Sequence, residues 1–286
     1  MNVRTDLACE SEEFADGHHS DSAKKELRHT EKTDVTVIDI DSDELSGQLG
    51  KPCGKYVTVE MSEFSVDSEI LDDRLKSLVN EITALLPDGE GTVLVAGIGN
   101  EDITPDAIGP LCAKSIFSTR HIDSALAFET GLENLKPVCA IATGVLGQTG
   151  METGEIIKSL VDFINPKAVI AVDALACASL KRLGKTVQLT DTGITPGSGV
   201  GNSRAEISKS TLGVPVIAIG VPTVVDAVTI AKTVSGSVNE NEEALNMMVT
   251  PREIDVLVKR AARLVALAIN SALQPDIDPE LLLSVV

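Results

Sequence analysis

The sequence of this 286-residue chain predicts an α/β protein with a mostly parallel, doubly wound sheet that is flanked by helices. Short apolar runs rich in β-branched residues alternate with segments of helical periodicity, which is the pattern of βαβ units. Aromatic residues make up only 2% of the chain, so the core must be built from Val, Ile, Leu and Ala. That composition suits a sheet that is covered on both faces.

The chain divides into two predicted parts. Residues 1–55 are polar and acidic, with one strand signal at residues 35–40, and we interpret them as an N-terminal region. Residues 56–286 are predicted to form a single α/β domain, with a polar linker at 235–245 inside it. The domain opens with an alternating strand at 56–61 and an amphipathic helix at 67–86 that ends before Pro87.

Strands and helices then alternate to the end of the chain. The apolar runs predict strands at 92–96, 138–142, 168–172, 186–189 and 214–219. Helices are predicted to begin at Pro105, Ala174 and Thr223, and to span 152–164 and 251–273.

The charge and cysteine content exclude several classes of function. The net charge is −19, and residues 1–90 alone hold 22 acidic and 9 basic side chains, which disfavours nucleic-acid binding. The five cysteines show no metal spacing, so we expect reduced thiols, no cofactor and a cytoplasmic chain. No signal peptide or apolar run of membrane-spanning length is recognisable. His18 and His19 could ligate a metal, but an adjacent pair in an acidic stretch is usually solvated.

The first candidate for chemistry is Asp106. Residues 93–110 predict a buried strand, a glycine turn and a helix with Thr104 as N-cap and Pro105 as first residue. Asp106 would then lie at the end of a strand, where open α/β sheets bind ligands. Stabilisation of a carboxylate by the helix dipole is the alternative explanation. Dinucleotide binding fits poorly, because Glu101 and Asp102 would repel a pyrophosphate.

Asp173 is the second candidate, because it ends the apolar run AVIAVD. In a parallel sheet it could face Asp106, and two facing carboxyl groups would share one proton and act together as acid and base. The alternative is that Asp173 caps the following helix.

The glycine-rich loop at 190–203 is the third candidate. Its glycines suggest positive φ angles or the close approach of another backbone. The functional interpretation is a wall for an extended peptide, formed by Gly193, Gly197, Ser198, Gly199 and Asn202 with Asp191 in support; a turn without function is the alternative. Ser198 is no G-x-S-x-G nucleophile, because Pro196 replaces the first glycine and no histidine follows it.

Motifs along the whole chain resemble the germination proteases of spore-forming bacteria. They include VRTDLA (3–8), TPDAIGP (104–110), INPKAVIAVDALA (164–176), DTGITPGSGVGN (191–202) and MVTPREID (248–255). The resemblance implies an endopeptidase that degrades small acid-soluble spore proteins in the spore core, as a homo-oligomer known as tetrameric in the family. It also implies a fold related to the hydrogenase maturation endopeptidases. The insertion usual before MVTPREID is missing here.

The family's essential aspartates correspond to Asp106 and Asp173, and the family uses no metal. Its members are made as zymogens, and VRTDLA resembles their processing site, which places self-cleavage between Asp6 and Leu7. A second possible cut follows Ala15 in the sequence Glu13-Phe14-Ala15, which resembles the site cut in spore proteins. Two alternatives to this function stay open, a metal-dependent maturation-type endopeptidase and a non-catalytic binder of basic spore proteins.

Overall fold

The computed structural model describes residues 5–15, 24–129, 132, 134–198, 204–235 and 247–285. His18 and His19 lie outside the described residues, as does nearly all of the predicted linker. Among the described helices, none combines the length and the apolar character that a membrane span requires.

The described residues form one sheet of nine strands. Its strands are β1 (Lys24–His29), β2 (Thr33–Ile40), β3 (Gly54–Met61), β4 (Val93–Ile98), β5 (Val138–Gly144), β6 (Ala168–Cys177), β7 (Thr186–Thr190), β8 (Val216–Asp226) and β9 (Met248–Val249). They lie in the order β1-β2-β3-β7-β8-β6-β4-β5, and β9 pairs with β8.

The sheet is mixed rather than mostly parallel. Strands β8, β6, β4 and β5 run parallel to one another, as the βαβ pattern predicts. Strands β1, β2, β3 and β7 pair antiparallel, because a meander from the N-terminal region joins β7, which itself runs antiparallel to β8. The sheet therefore continues across the boundary predicted at residue 55 between the N-terminal region and the α/β domain. The sequence did not predict strand β1.

Helices cover both faces of the sheet, which confirms the predicted α/β class. They are α1 (Ala8–Ala15), α2 (Asp43–Leu49), α3 (Asp73–Leu85), α4 (Ile108–Lys114), α5 (Ser124–Glu129), α6 (Leu146–Thr149), α7 (Thr153–Ile164), α8 (Lys209–Leu212), α9 (Ala227–Ser235), α10 (Ile254–Leu273) and α11 (Pro279–Val285). Helices α3, α4 and α10 bury one face of the sheet. The opposite face packs against α7 and α8 at the β4 side, and against α1 and α2 at the β3 side.

Three predicted helix starts were wrong, and each error lies beside the site. A 3₁₀ turn at Thr104–Asp106 takes the place of the first turn of the helix, and α4 begins only at Ile108. No helix begins at Ala174 or Thr223, because β6 and β8 continue to pair with each other through Cys177 and Val225. Pairing in the sheet overrides the helical preference of the sequence ALAC here.

Candidate active site

Asp106 ends the 3₁₀ turn that follows β4. Its Oδ2 atom accepts a hydrogen bond of 2.7 Å from the backbone N–H of Asn100. Gly99 allows this close approach, because its φ is +119° and a Cβ there would lie 2.1 Å from the carbonyl oxygen of Asp106. The loop therefore folds back on itself and holds the half-buried carboxyl group beside the end of β4.

Asp173 lies inside β6, in register with Gly220 of β8, and only 5% of the residue is exposed. Its Oδ1 atom accepts a hydrogen bond of 2.9 Å from the backbone N–H of Ala174. Since β6 continues to Cys177, Asp173 neither ends its strand nor caps a helix. The strand holds the carboxyl group in a fixed direction, beside Asp106 in the cleft described below.

The environment favours the protonated form of both carboxyl groups. Burial raises the pKa of Asp106, and the hydrogen bond from Asn100 only partly opposes it. The pKa of Asp173 lies well above its ordinary value, first because of burial and then because of the negative charge on Asp106. The charge on Asp6 acts in the same direction. A coupled pair of this kind titrates as a unit, with one proton shared between two groups.

Both aspartates line one cleft of about 920 Å³, and the N-terminal segment enters the same cleft. The backbone N–H of Asp6 donates to the carbonyl oxygen of Ala176 over 3.0 Å. The Ala176 N–H donates in return to Oδ2 of Asp6 over 2.9 Å, and Ser198 Oγ donates to Oδ1 over 2.8 Å. Strand β6 thus binds Asp6 through its main chain just beyond Asp173.

The main-chain carbonyl oxygen of Asp6 accepts hydrogen bonds from two side chains. Lys51 Nζ donates over 2.9 Å and Gln188 Nε2 over 3.1 Å. Sequence reasoning missed both residues. Gln188 could have been noticed as a polar side chain in an apolar strand, whereas nothing in the sequence around Lys51 distinguished it.

The glycine-rich loop contributes its first half to the cleft. Gly193, Gly197 and Ser198 line it, and Gly193 has a φ of +91° with the carbonyl oxygen of Ile207 only 2.2 Å from where a Cβ would lie. Gly199 and Asn202, which were predicted to bind substrate, lie outside the described residues. Asp191 points elsewhere, since its Oδ1 accepts a hydrogen bond of 2.8 Å from the backbone N–H of Lys55.

The second predicted cleavage site has a different setting. Glu13, Phe14 and Ala15 belong to helix α1, and Asp16 lies outside the described residues. A peptide must be extended to enter a cleft, so a cut after Ala15 would require α1 to unwind. Asp6 and Leu7 precede the helix, and Asp6 is already in the cleft.

The donor set does not match a metal site of the maturation-protease type. Within the part of the chain that the structure describes, no three His, Cys, Asp or Glu side chains converge in a way that could hold a metal ion. The carboxyl pair instead has main-chain N–H groups as its hydrogen-bond donors.

A buried and a half-buried carboxyl group, in a cleft that also binds the main chain of another segment, form the kind of site found in peptidases. The sequence profile of the germination protease family matches residues 3–238 of this chain. The chain therefore belongs to the germination protease family, and it is a peptidase of spore germination.

Individual relatives carry the same description. The germination protease of Clostridium perfringens is 40% identical to this chain over an alignment 319 positions long, which covers 96% of each chain. The germination protease of Bacillus licheniformis is 42% identical to this chain over an alignment 239 positions long. That alignment covers 80% of this chain and 64% of the relative. Among solved structures, a NiFe hydrogenase maturation protease, HycI, from Thermococcus kodakarensis matches 68% of this chain and 98% of its own, with 20% identity. Its TM-score of 0.40 is too low to support an inference about this chain.

Proposed function

We propose that this protein is a self-processing endopeptidase that degrades small acid-soluble spore proteins, with Asp106 and Asp173 activating water. The observation that carries the proposal is that the Asp6 end of the predicted Asp6–Leu7 cleavage site lies in the cleft of the two aspartates. Burial and mutual repulsion keep one carboxyl group protonated while the other is ionised, which is the condition for acid and base to act together.

In the proposed reaction, the ionised carboxylate takes a proton from water as the water oxygen bonds to the carbonyl carbon. The π electron pair of the carbonyl moves onto its oxygen. When that pair returns, the C–N bond breaks, and the amine leaves with the proton from the other carboxyl group. The two aspartates have then exchanged protonation states, and the next cycle can begin.

Substitution of the pair tests this function directly. Asp106→Asn and Asp173→Asn should each slow cleavage of a small acid-soluble spore protein by about 10²- to 10⁴-fold. Asp162→Asn is the matched control, because Asp162 is exposed on α7 and its ion pair among the described residues is with Lys158. Circular dichroism should be the same for all three variants. Full activity in either cleft variant would end the proposal.

Two further results separate this function from its alternatives. Activity that disappears on exhaustive chelation would support a metal-dependent peptidase. Tight, salt-sensitive binding of the spore protein without any product on prolonged incubation would support a binding protein.

Processing of the N-terminus is tested by intact mass spectrometry. Purified protein at mildly acidic pH should lose the mass of residues 1–6, because acid favours the state in which the pair holds a proton. Loss of residues 1–15 would instead identify the second site. The Asp106→Asn form should keep its full length, and equal shortening of that form would show that another protease makes the cut.

A further inference from the structure

One carbonyl oxygen in the cleft is bound by two side chains from separate parts of the fold. Lys51 follows α2, and Gln188 lies in β7, yet both donate to the oxygen of Asp6. Carbonyl groups in loops are normally satisfied by backbone or water. Among the described residues, the Lys51 ammonium group has this carbonyl as its one hydrogen-bond acceptor.

Gln188 contacts the chain on both sides of the Asp6–Leu7 peptide bond. Its Nε2 atom donates to the carbonyl oxygen of Asp6, and its Oε1 atom accepts a hydrogen bond of 2.8 Å from the backbone N–H of Ala8. The Ala8 N–H can only donate, so it fixes which end of the amide faces Asp6. Gln188 is 6% exposed, which keeps competing water away from both contacts.

Two donors at about 3 Å from one carbonyl oxygen are the arrangement that stabilises an oxyanion. On the basis of the proposed function, we propose that Lys51 and Gln188 are catalytic residues that donate to the oxygen of the scissile carbonyl. They stabilise the negative charge that this oxygen acquires when water adds to the carbon. The aspartates act on the water and on the leaving amine, and these two residues act on the oxygen between them.

The surroundings of Lys51 suit this role. Burial lowers the pKa of its ammonium group, and the nearby charges of Asp6, Glu10 and Cys9 oppose that shift. Among the described residues, no carboxylate accepts a hydrogen bond from the Lys51 ammonium group. A partly buried cation of this kind attracts a developing oxyanion more strongly than a fully solvated cation does. The proposed role requires the protonated form of Lys51, so activity should fall as pH rises through the lowered pKa of Lys51.

An anchoring role is the competing explanation, in which the two residues only hold the N-terminal segment in place. The two roles differ once residues 1–6 have been released. An anchor has nothing left to hold, whereas oxyanion donors act in every later turnover. A variant that loses transition-state stabilisation has a lower kcat with little change in KM, whereas a variant that loses only binding has a higher KM and an unchanged kcat.

The experiment compares full-length wild-type protein with Lys51→Met, Lys51→Arg, Gln188→Met and the control Lys55→Met, whose side chain does not line the cleft. Self-processing is followed by intact mass. Cleavage of an added synthetic peptide with the sequence of residues 1–12 then gives kcat and KM. Lys51→Met and Gln188→Met should each lower kcat by about 10²- to 10³-fold, with KM within about threefold of wild type.

Lys51→Arg should recover part of the lost rate and move the alkaline limb of the pH profile upward, because a guanidinium group stays protonated. Lys55→Met should behave as wild type. If Lys51→Met cleaves the peptide with the wild-type kcat, or changes KM alone, the inference is wrong although the proposed function stands. If wild-type protein neither processes itself nor cleaves the peptide, the proposed function itself fails.

Discussion

The start of α3 and the cleft both shield carboxyl groups from solvent, but the surroundings favour opposite protonation states. At the start of α3, Asp72 accepts hydrogen bonds from the side chains of Arg74 and Lys32 and from the backbone N–H of Arg74. Arg74 is itself 1% exposed and also contacts Asp67. In the cleft, the side chains of Asp106 and Asp173 each accept one hydrogen bond from a main-chain N–H group. Neither carboxyl group has a cationic partner among the described residues.

The pKa values follow from this difference. Burial opposes ionisation of Asp72, but the hydrogen bonds from Arg74 and Lys32 outweigh it and lower its pKa. In the cleft, single backbone hydrogen bonds compensate only part of the effect of burial, and the pKa values of Asp106 and Asp173 rise. Ionised carboxylates therefore stabilise the first region, whereas ionisation is unfavourable in the second, and the proposed reaction would use that property.

Removal of the arginine should have the largest effect on stability. Arg74→Met leaves Asp72 without its main partner in a buried place, and breaking such a pair typically costs about 3–5 kcal/mol. Denaturant unfolding should show this loss in the free energy of unfolding. The control Lys76→Met removes an exposed pair with Asp73 and should change it by less than about 1 kcal/mol. Equal effects of the two variants would break the comparison.

The corresponding change in the cleft should have the opposite sign. Asp173→Asn removes a carboxyl group that is costly to ionise, so at neutral pH the free energy of unfolding should stay level or rise by up to about 2 kcal/mol while activity is lost. Thermal unfolding measured beside the cleavage assay checks both parts. A marked loss of stability in this variant would assign Asp173 to the framework of the fold.

The sequence predicts only those site residues whose position follows from the residues next to them in the chain. Asp106 and Asp173 could be located because each follows an apolar run that specifies a buried strand. The role that we propose for Lys51 and Gln188 could not be predicted, although Gln188 stands out as a polar residue in an apolar strand. That role depends on Asp6 and on contacts such as the one between Gln188 and Ala8, which are 180 residues apart.

The fold shows the same limit. The parallel strands carry a clear apolar pattern, and all of them were predicted. Strand β1, KKELRH, is exposed along its whole length, and nothing but its pairing with β2 makes it a strand. The continuation of β6 through Cys177 likewise depends on β8, so periodicity within residues 174–177 could not reveal it.

The two regions should also respond oppositely to pH. Asp67 and Asp72 have lowered pKa values in the folded state, so their stabilisation is present above the unfolded pKa of about 4 and is lost as pH falls below it. Asp106 and Asp173 have raised values, so the folded state binds more protons than the unfolded state between about pH 4 and their own pKa values. Their contribution therefore improves as pH falls toward about 4.

Denaturant unfolding of wild type and Asp173→Asn across pH 3 to 8 separates these contributions. The difference in the free energy of unfolding between the two proteins should narrow as pH falls from neutral toward about 4. Both proteins should then lose stability together at lower pH as Asp67 and Asp72 become protonated. A difference that does not change with pH would show that folding leaves the pKa of Asp173 unchanged.

The smallest expected effect concerns how the cleft holds the side chain of Asp6. Ser198→Ala removes the hydroxyl that donates to Oδ1, while the Ala176 N–H still binds Oδ2. Ser198 is exposed, so the lost hydrogen bond should cost about 1 kcal/mol, which corresponds to about fivefold slower self-processing at mildly acidic pH. Ser210→Ala is the control, since Ser210 contacts only Ser208 among the described residues and lies outside the cleft. If Ser198→Ala and its control process equally fast, the main chain of β6 alone recognises the acidic residue before the cut, and the glycine-rich loop has no part in that step.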